Sequence, residues 1–223
     1  MIPLRDTIQS KRFPIVNYMI IGVNIMIFLY ELMLGSQLDR FLYKYGLVPL
    51  YFEAAFRIEE ISIWWTIIPL FSSMFLHGGW IHIIGNMWFL YIFGDNVEDR
   101  LGHLKYLMFY ISCGLIAAVV QLLISWGSKV PMIGASGAIA GILGAYMLLF
   151  PHSRVLTIIP IFVFIQLVEI PAFVFLFLWF LIQFFYGALS YAAVSNGGVA
   201  WWAHIGGFIG GIILTNRFKR RWI

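Results

Sequence analysis

Charge is scarce in this chain. Lys, Arg, Asp and Glu make up 11% of its 223 residues, whereas a soluble domain carries about 25%. A water-facing globule with a polar coat is therefore excluded. Cysteine is nearly missing: Cys113 stands alone, which rules out an intramolecular disulfide and any Cys-rich zinc cluster. No His-Glu-x-x-His occurs, so zinc-protease chemistry lacks its ligand set, and neither metal nor cofactor is expected. Internal repeats and a charged pathway are lacking too, against a transporter built from inverted repeats. The net charge of +4 comes without a basic, aromatic-laced surface, so nucleic acid is not an expected partner.

What remains is apolar: 62% hydrophobic residues and a mean hydropathy of +0.91. A helix needs roughly 20 apolar residues to cross a hydrocarbon core about 30 Å thick. Six runs are read as spans, at 15–34, 81–94, 106–124, 136–150, 171–190 and 201–218. The second and fourth are short, which suits helices buried among neighbours or beside a water-filled cavity. Residues 1–12 are polar and basic, and the first run ends without a small-x-small cleavage signature, so it reads as a retained helix. Residues 35–80, rich in Trp and Tyr, are expected to form a long interfacial loop between helices 1 and 2. The apolar piece 155–168 is broken by Pro160 and is expected to lie in the interface or to lengthen the fifth helix. The fold class expected is thus all-α, a single six-helix membrane domain over residues 1–223. An even span count puts both termini on one side, with ten of the fourteen Lys and Arg; the other side holds Arg40, Lys44, Arg57 and Lys129. The positive-inside rule makes the terminal side cytoplasmic, and a bacterial-type inner membrane is the expected location.

Three small constellations could carry chemistry. Ser136 lies in Gly134-Ala135-Ser136-Gly137 at the head of a run rich in small residues. A helix start offers unpaired N–H groups and a positive dipole end, so the Ser136 amide could face a developing oxyanion while Gly134 lets the chain approach closely. The same serine would equally serve as an N-cap. His204 is followed by the i,i+4 pairs Gly206/Gly210 and Gly207/Gly211, and the Ser136 run carries Gly137/Gly141 and Ala140/Gly144. Two such helices pack backbone against backbone, which would bring Ser136 and His204 within hydrogen-bond reach. An ionisable group at membrane depth is costly and suggests function, although a histidine bonded to a helix carbonyl is the plainer alternative. His82 and Asn86 share a helix face at i,i+4, either as converging donors for an oxyanion or as polar glue between helices. His77 is expected to pack in the preceding loop.

In order and spacing, His82-x-x-x-Asn86, Gly134-Ala135-Ser136-Gly137 and Ala203-His204-x-Gly206-Gly207 resemble the rhomboid family of intramembrane serine proteases. The run from Gly94 to Gly102, with Glu98 and Arg100, is similar to that family's Glu-x-Arg segment. The resemblance implies a six-helix core with Ser136 as nucleophile and His204 as general base, a dyad without a carboxylate. Asp95 and Glu169 are poor candidates for orienting the histidine. It also implies an oxyanion site from His82, Asn86, Gly134 and the Ser136 backbone N–H, and transmembrane proteins as substrates, met within membrane lipid. The loop bearing Asn196, Gly197 and Gly198 would gate substrate together with the fifth helix. A catalytically silent relative that binds membrane clients is the alternative. In two places the chain departs from the pattern: Ala140 stands where some members stack an aromatic on the base, and Ile67-Ile68-Pro69-Leu70 replaces an aromatic–Arg or aromatic–Gln pair.

Overall fold

Each of the six apolar runs becomes a helix. The computed structural model describes residues 1–57, 64–161, 164–192 and 199–218. Strand β1 (Ile2–Asp6) precedes α1 (Ile15–Met33), and the short helices α2 (Leu38–Tyr45), α3 (Pro49–Arg57) and α4 (Trp64–Ser72) follow. Next come α5 (Trp80–Leu101), α6 (His103–Ile124) and α7 (Ser136–Leu149). A hairpin of β2 (Arg154–Ile161) and β3 (Phe164–Pro171) leads to α8 (Ala172–Ala192) and α9 (Trp201–Phe218). Among the described residues, α1, α6 and α8 are long and apolar enough to cross a membrane alone. A fourth span is made if Trp65–Phe75 and Trp80–Leu101, bent by 77°, count as one broken crossing. The chain is an integral membrane protein. By these criteria three or four spans qualify, fewer than the six expected: α7, with 14 residues (about 21 Å long at 1.5 Å per residue), is too short, and the 18-residue α9 is not apolar enough.

The all-α expectation fails at one end of the molecule, where β1, β2 and β3 form an antiparallel three-stranded sheet in that order. Residues 155–168 neither lengthen α8 nor form a helix of their own. Val155, Thr157, Ile158, Ile159 and Ile161 are β-branched and favour a pleated surface, while Pro160 bars a helix interior. Ile2 pairs with Ile158 and Asp6 with Val155, so the third strand comes from the far N-terminus. The described residues of 35–80 are largely helical rather than a loop, and Ile67-Ile68-Pro69-Leu70 lies inside α4 with Pro69 in the helix.

Helix α5 runs past residue 94, where the apolar run stops, into a charged tail whose polar groups all find partners. The Glu98 carboxylate accepts the Val16 N–H at 3.0 Å and the Asn17 N–H at 2.7 Å, capping the orphan donors at the start of α1. His103 pairs with the same carboxylate. Asn96 donates to Asp6 at 2.9 Å, and the Tyr146 hydroxyl donates to Asp6 as well. Gly102, at φ +83°, reverses the chain so that α6 starts at once.

The core gathers round α7. Phe93, Tyr106, Phe109, Tyr110, Leu143 and Tyr146 are fully buried, and α9 lies against α7 with almost no side-chain padding. A Cβ on Gly207 would run into the Gly137 carbonyl, and one on Gly211 into the Gly141 carbonyl. Gly206 and Gly210 instead meet Val120 and Ile116 of α6. The two glycine pairs of α9 thus serve two neighbouring helices.

Candidate active site

Backbone contact between α7 and α9 delivers two polar side chains to one place. Ser136 opens α7 and His204 lies in the first turn of α9; the His204 Nε2 is 2.8 Å from the Ser136 Oγ. On the far side of the ring, Nδ1 is 2.7 Å from the Gln183 Oε1 of α8. An amide oxygen only accepts, so Nδ1 carries the proton and Nε2 is left to accept the Ser136 hydroxyl. The Trp179 ring centroid lies 6.0 Å from that of the imidazole, tilted by 33°, and Trp201 meets it edge-on at 6.1 Å. Ala140 is buried, and a Cβ on Gly207 would stand 3.4 Å from its methyl. An aromatic at 140 would push α9 away.

His82 approaches from α5. The Gly78 N–H donates to its Nδ1 at 3.4 Å, which leaves the proton on Nε2. That nitrogen faces Gly134, where an added Cβ would be 2.7 Å from Nε2 and 3.6 Å from the Ser136 Oγ. Gly134 also has φ +122°, so glycine is required there twice over. Its own N–H donates to the Ser73 carbonyl at 2.8 Å; what Gly134 contributes is space rather than a free donor. The Ser136 N–H belongs to the first turn of α7 and has no intrahelical acceptor.

Asn86, one turn after His82, is buried, and its Nδ2 donates to the His77 Nε2 at 3.0 Å, leaving a second N–H. His77, expected in loop packing, is itself buried. Its N–H is held by the Glu31 carboxylate of α1 at 3.2 and 3.3 Å, and its ring meets His82 edge-on at 5.0 Å. A cavity of about 20 Å³ opens beside Ser136, bordered by Ser73, Gly134, Ala117, Ala200 and Ala203, room for one water. Chemically, a hydroxyl, a base and a neutral N–H donor converge on a single point, as acyl transfer requires. Asn196, Gly197 and Gly198 lie outside the described residues. Sequence reasoning missed Gln183 and Glu31. The signal for Gln183 was present: it is the only side-chain amide in the 21 residues of α8, and an amide at membrane depth needs a partner.

The Rhomboid domain model matches residues 63–221. The chain belongs to the rhomboid family. It is 30% identical over 147 residues to Rhomboid protein 1, mitochondrial, of Saccharomyces cerevisiae, covering 62% of this chain and 38% of that protein. It is 32% identical over 99 residues to the human Presenilin-associated rhomboid-like protein, mitochondrial, covering 43% and 26%. It is 33% identical over 90 residues to RHOMBOID-like protein 5 of Arabidopsis thaliana, covering 40% and 28%. This rhomboid therefore matches well under half the length of each of these relatives. Two of the three carry a mitochondrial designation, so the expected bacterial-type inner membrane has no counterpart in their names.

Proposed function

We propose that this rhomboid is an intramembrane serine endopeptidase, cleaving peptide bonds of transmembrane proteins without a cofactor. The observation that carries the reading is the 2.8 Å approach of the His204 Nε2 to the Ser136 Oγ with the His82 Nε2 turned to the same spot. In the first step the Ser136 Oγ attacks the scissile carbonyl carbon and passes its proton to the His204 Nε2. Negative charge gathers on the carbonyl oxygen, where the His82 Nε2–H, the Ser136 N–H and the free N–H of Asn86 are the donors on hand. The protonated His204 then gives its proton to the departing amine. A water, deprotonated by the same nitrogen, attacks the acyl carbon; the acyl–Oγ bond breaks, His204 returns the proton to the Ser136 Oγ, and the new carboxyl end is released.

On this reading the chain crosses the membrane six times, with α5, α7 and α9 as spans packed inside the bundle. Both termini face the cytoplasm, supported by the ten Lys and Arg assigned to that side. Substrate would reach Ser136 from lipid past α8 and the loop of Asn196, Gly197 and Gly198. A folded helix hides its carbonyls in hydrogen bonds, so the cut segment must be extended locally.

Purified protein in detergent, given a transmembrane substrate and separately a fluorophosphonate probe, tests the reading against Ser136→Ala. Cleavage and labelling should both occur in the wild type and both vanish in the variant. A folded wild type lacking both activities overturns it in favour of a client-binding relative, and cleavage surviving in Ser136→Ala removes Ser136 from the chemistry.

A further inference from the structure

The nucleophile and the base are brought together by α7 and α9, and Trp201 of α9 meets the His204 ring edge-on, yet neither helix supplies the partner of its Nδ1. Ala140, the α7 residue one turn after Ser136, has only a methyl, and that methyl lies against Gly207. The ring is held instead from α8, by two side chains one turn apart. Gln183 accepts from Nδ1 at 2.7 Å and Trp179 lies over the ring at 6.0 Å. Gln183 is buried, 6% exposed, in a helix whose outward residues Phe177, Phe184 and Phe185 are exposed. An amide buried among apolar neighbours costs free energy unless bonded, and among the described residues its oxygen is bonded to His204.

We propose that Gln183 is the positioning residue of the proposed dyad: it selects the imidazole tautomer that leaves Nε2 basic toward Ser136, and so makes the dyad depend on the seating of α8. An amide does this without a charge. A neutral imidazole exchanges its proton between two nitrogens, and only the Nδ1–H form leaves a lone pair facing the Ser136 hydroxyl. The Oε1 favours that form because it cannot donate. The inference rests on the protease reading for its kinetic consequence but not for the tautomer itself.

The test uses the full chain in detergent with Gln183→Met, of similar length but without a strong acceptor, and Gln183→Glu, which keeps an acceptor. Cleavage of a transmembrane substrate is measured as kcat and KM, and histidine-15N NMR reads the tautomer of His204. The expected result for Gln183→Met is a kcat lower by about 10- to 100-fold, by analogy with the loss of the outer partner of a metal-ligating histidine, with KM unchanged. Gln183→Glu should recover part of the loss. The wild-type His204 should carry its proton on Nδ1, and Gln183→Met should show a mixture. Full kcat in Gln183→Met, or an unchanged tautomer, overturns the proposal, as does equal loss in both variants accompanied by a lower Tm. If neither the wild type nor either variant cleaves but the tautomer responds as expected, the protease reading falls and the positioning role stands.

Discussion

Helices α7 and α8 both flank α9, and they hold it in opposite ways. Between α7 and α9 the contact is backbone on backbone, with Gly207 against the Gly137 carbonyl and Gly211 against the Gly141 carbonyl. Between α8 and α9 it is side chain on side chain: Trp179 and Phe180 against Phe208, and Gln183 on His204. Backbone contact tolerates no added atom and fixes distance; side-chain contact fixes ring orientation and gives way by rotamer. Lipid tails supply no hydrophobic drive between helices, so close approach has to do the holding, and α7 has far more of it than α8. The distance between Ser136 and His204 is a property of the rigid junction. The aim of the imidazole is a property of the softer one.

On the protease reading, the largest effects come from Ser136 and His204. Ser136→Ala and His204→Ala should each abolish cleavage while leaving the thermal midpoint in detergent close to wild type; turnover by either purified variant would break the dyad. Next comes the junction itself. Gly207→Leu forces side-chain carbon into the Gly137 carbonyl and should cost about 1–3 kcal/mol or more, read as a lower Tm together with lost activity. On the soft side, Phe180→Leu keeps most of the apolar bulk, removes one stacked pair with Phe208 and should cost about 0.5–1.5 kcal/mol. If the two variants lose equal stability, the contrast between the junctions is wrong. His82→Ala removes an N–H aimed at Gly134, and losing one oxyanion donor lowers kcat by about 10²–10³-fold in soluble proteases. Asn86→Ala should cost less, because one of its two N–H groups is spent on His77.

The smallest expected effect lies at the far end of α7, near Tyr146. Burial first, with the Asp95 charge adding to it, pushes the Asp6 carboxyl from 3.8 up to about 6, against a lowering hydrogen bond from Tyr146. Between those values the folded protein keeps a proton that the unfolded chain has released, so stability falls as pH rises from about 4 to about 6. Asp6→Asn should flatten the Tm-against-pH curve over that window. A slope identical to wild type would detach Asp6 from the effect.

The helices were legible in the apolar runs, and the Ser136–His204 approach in the spacing of small residues, which encodes close packing: two pairs on α7 and two on α9, all of them in close contacts. The sheet was not legible. Its first strand has five residues and pairs across some 150 positions, Ile2 with Ile158, a contact that leaves no local pattern. The continuation of α5 beyond residue 94 was hidden for a similar reason, since Glu98 and Asn96 find partners as distant as residues 6, 8, 16 and 17. Gln183 escaped notice because a single amide in an apolar run says that a partner exists without saying which.

The β2–β3 hairpin has a mechanical meaning for α8. At its foot the Ala172 N–H is bonded to the Ser153 carbonyl at 2.8 Å, which ties the first residue of α8 to the chain leaving α7. Treated as a lever hinged at that bond, α8 carries Gln183 eleven residues along, about 16 Å from the hinge at 1.5 Å per residue. A tilt of about 4° then carries the Gln183 backbone about 1 Å, enough to stretch a 2.7 Å hydrogen bond past useful length. The aim of the imidazole thus follows the angle of α8, whereas its distance from Ser136 follows the α7–α9 contact.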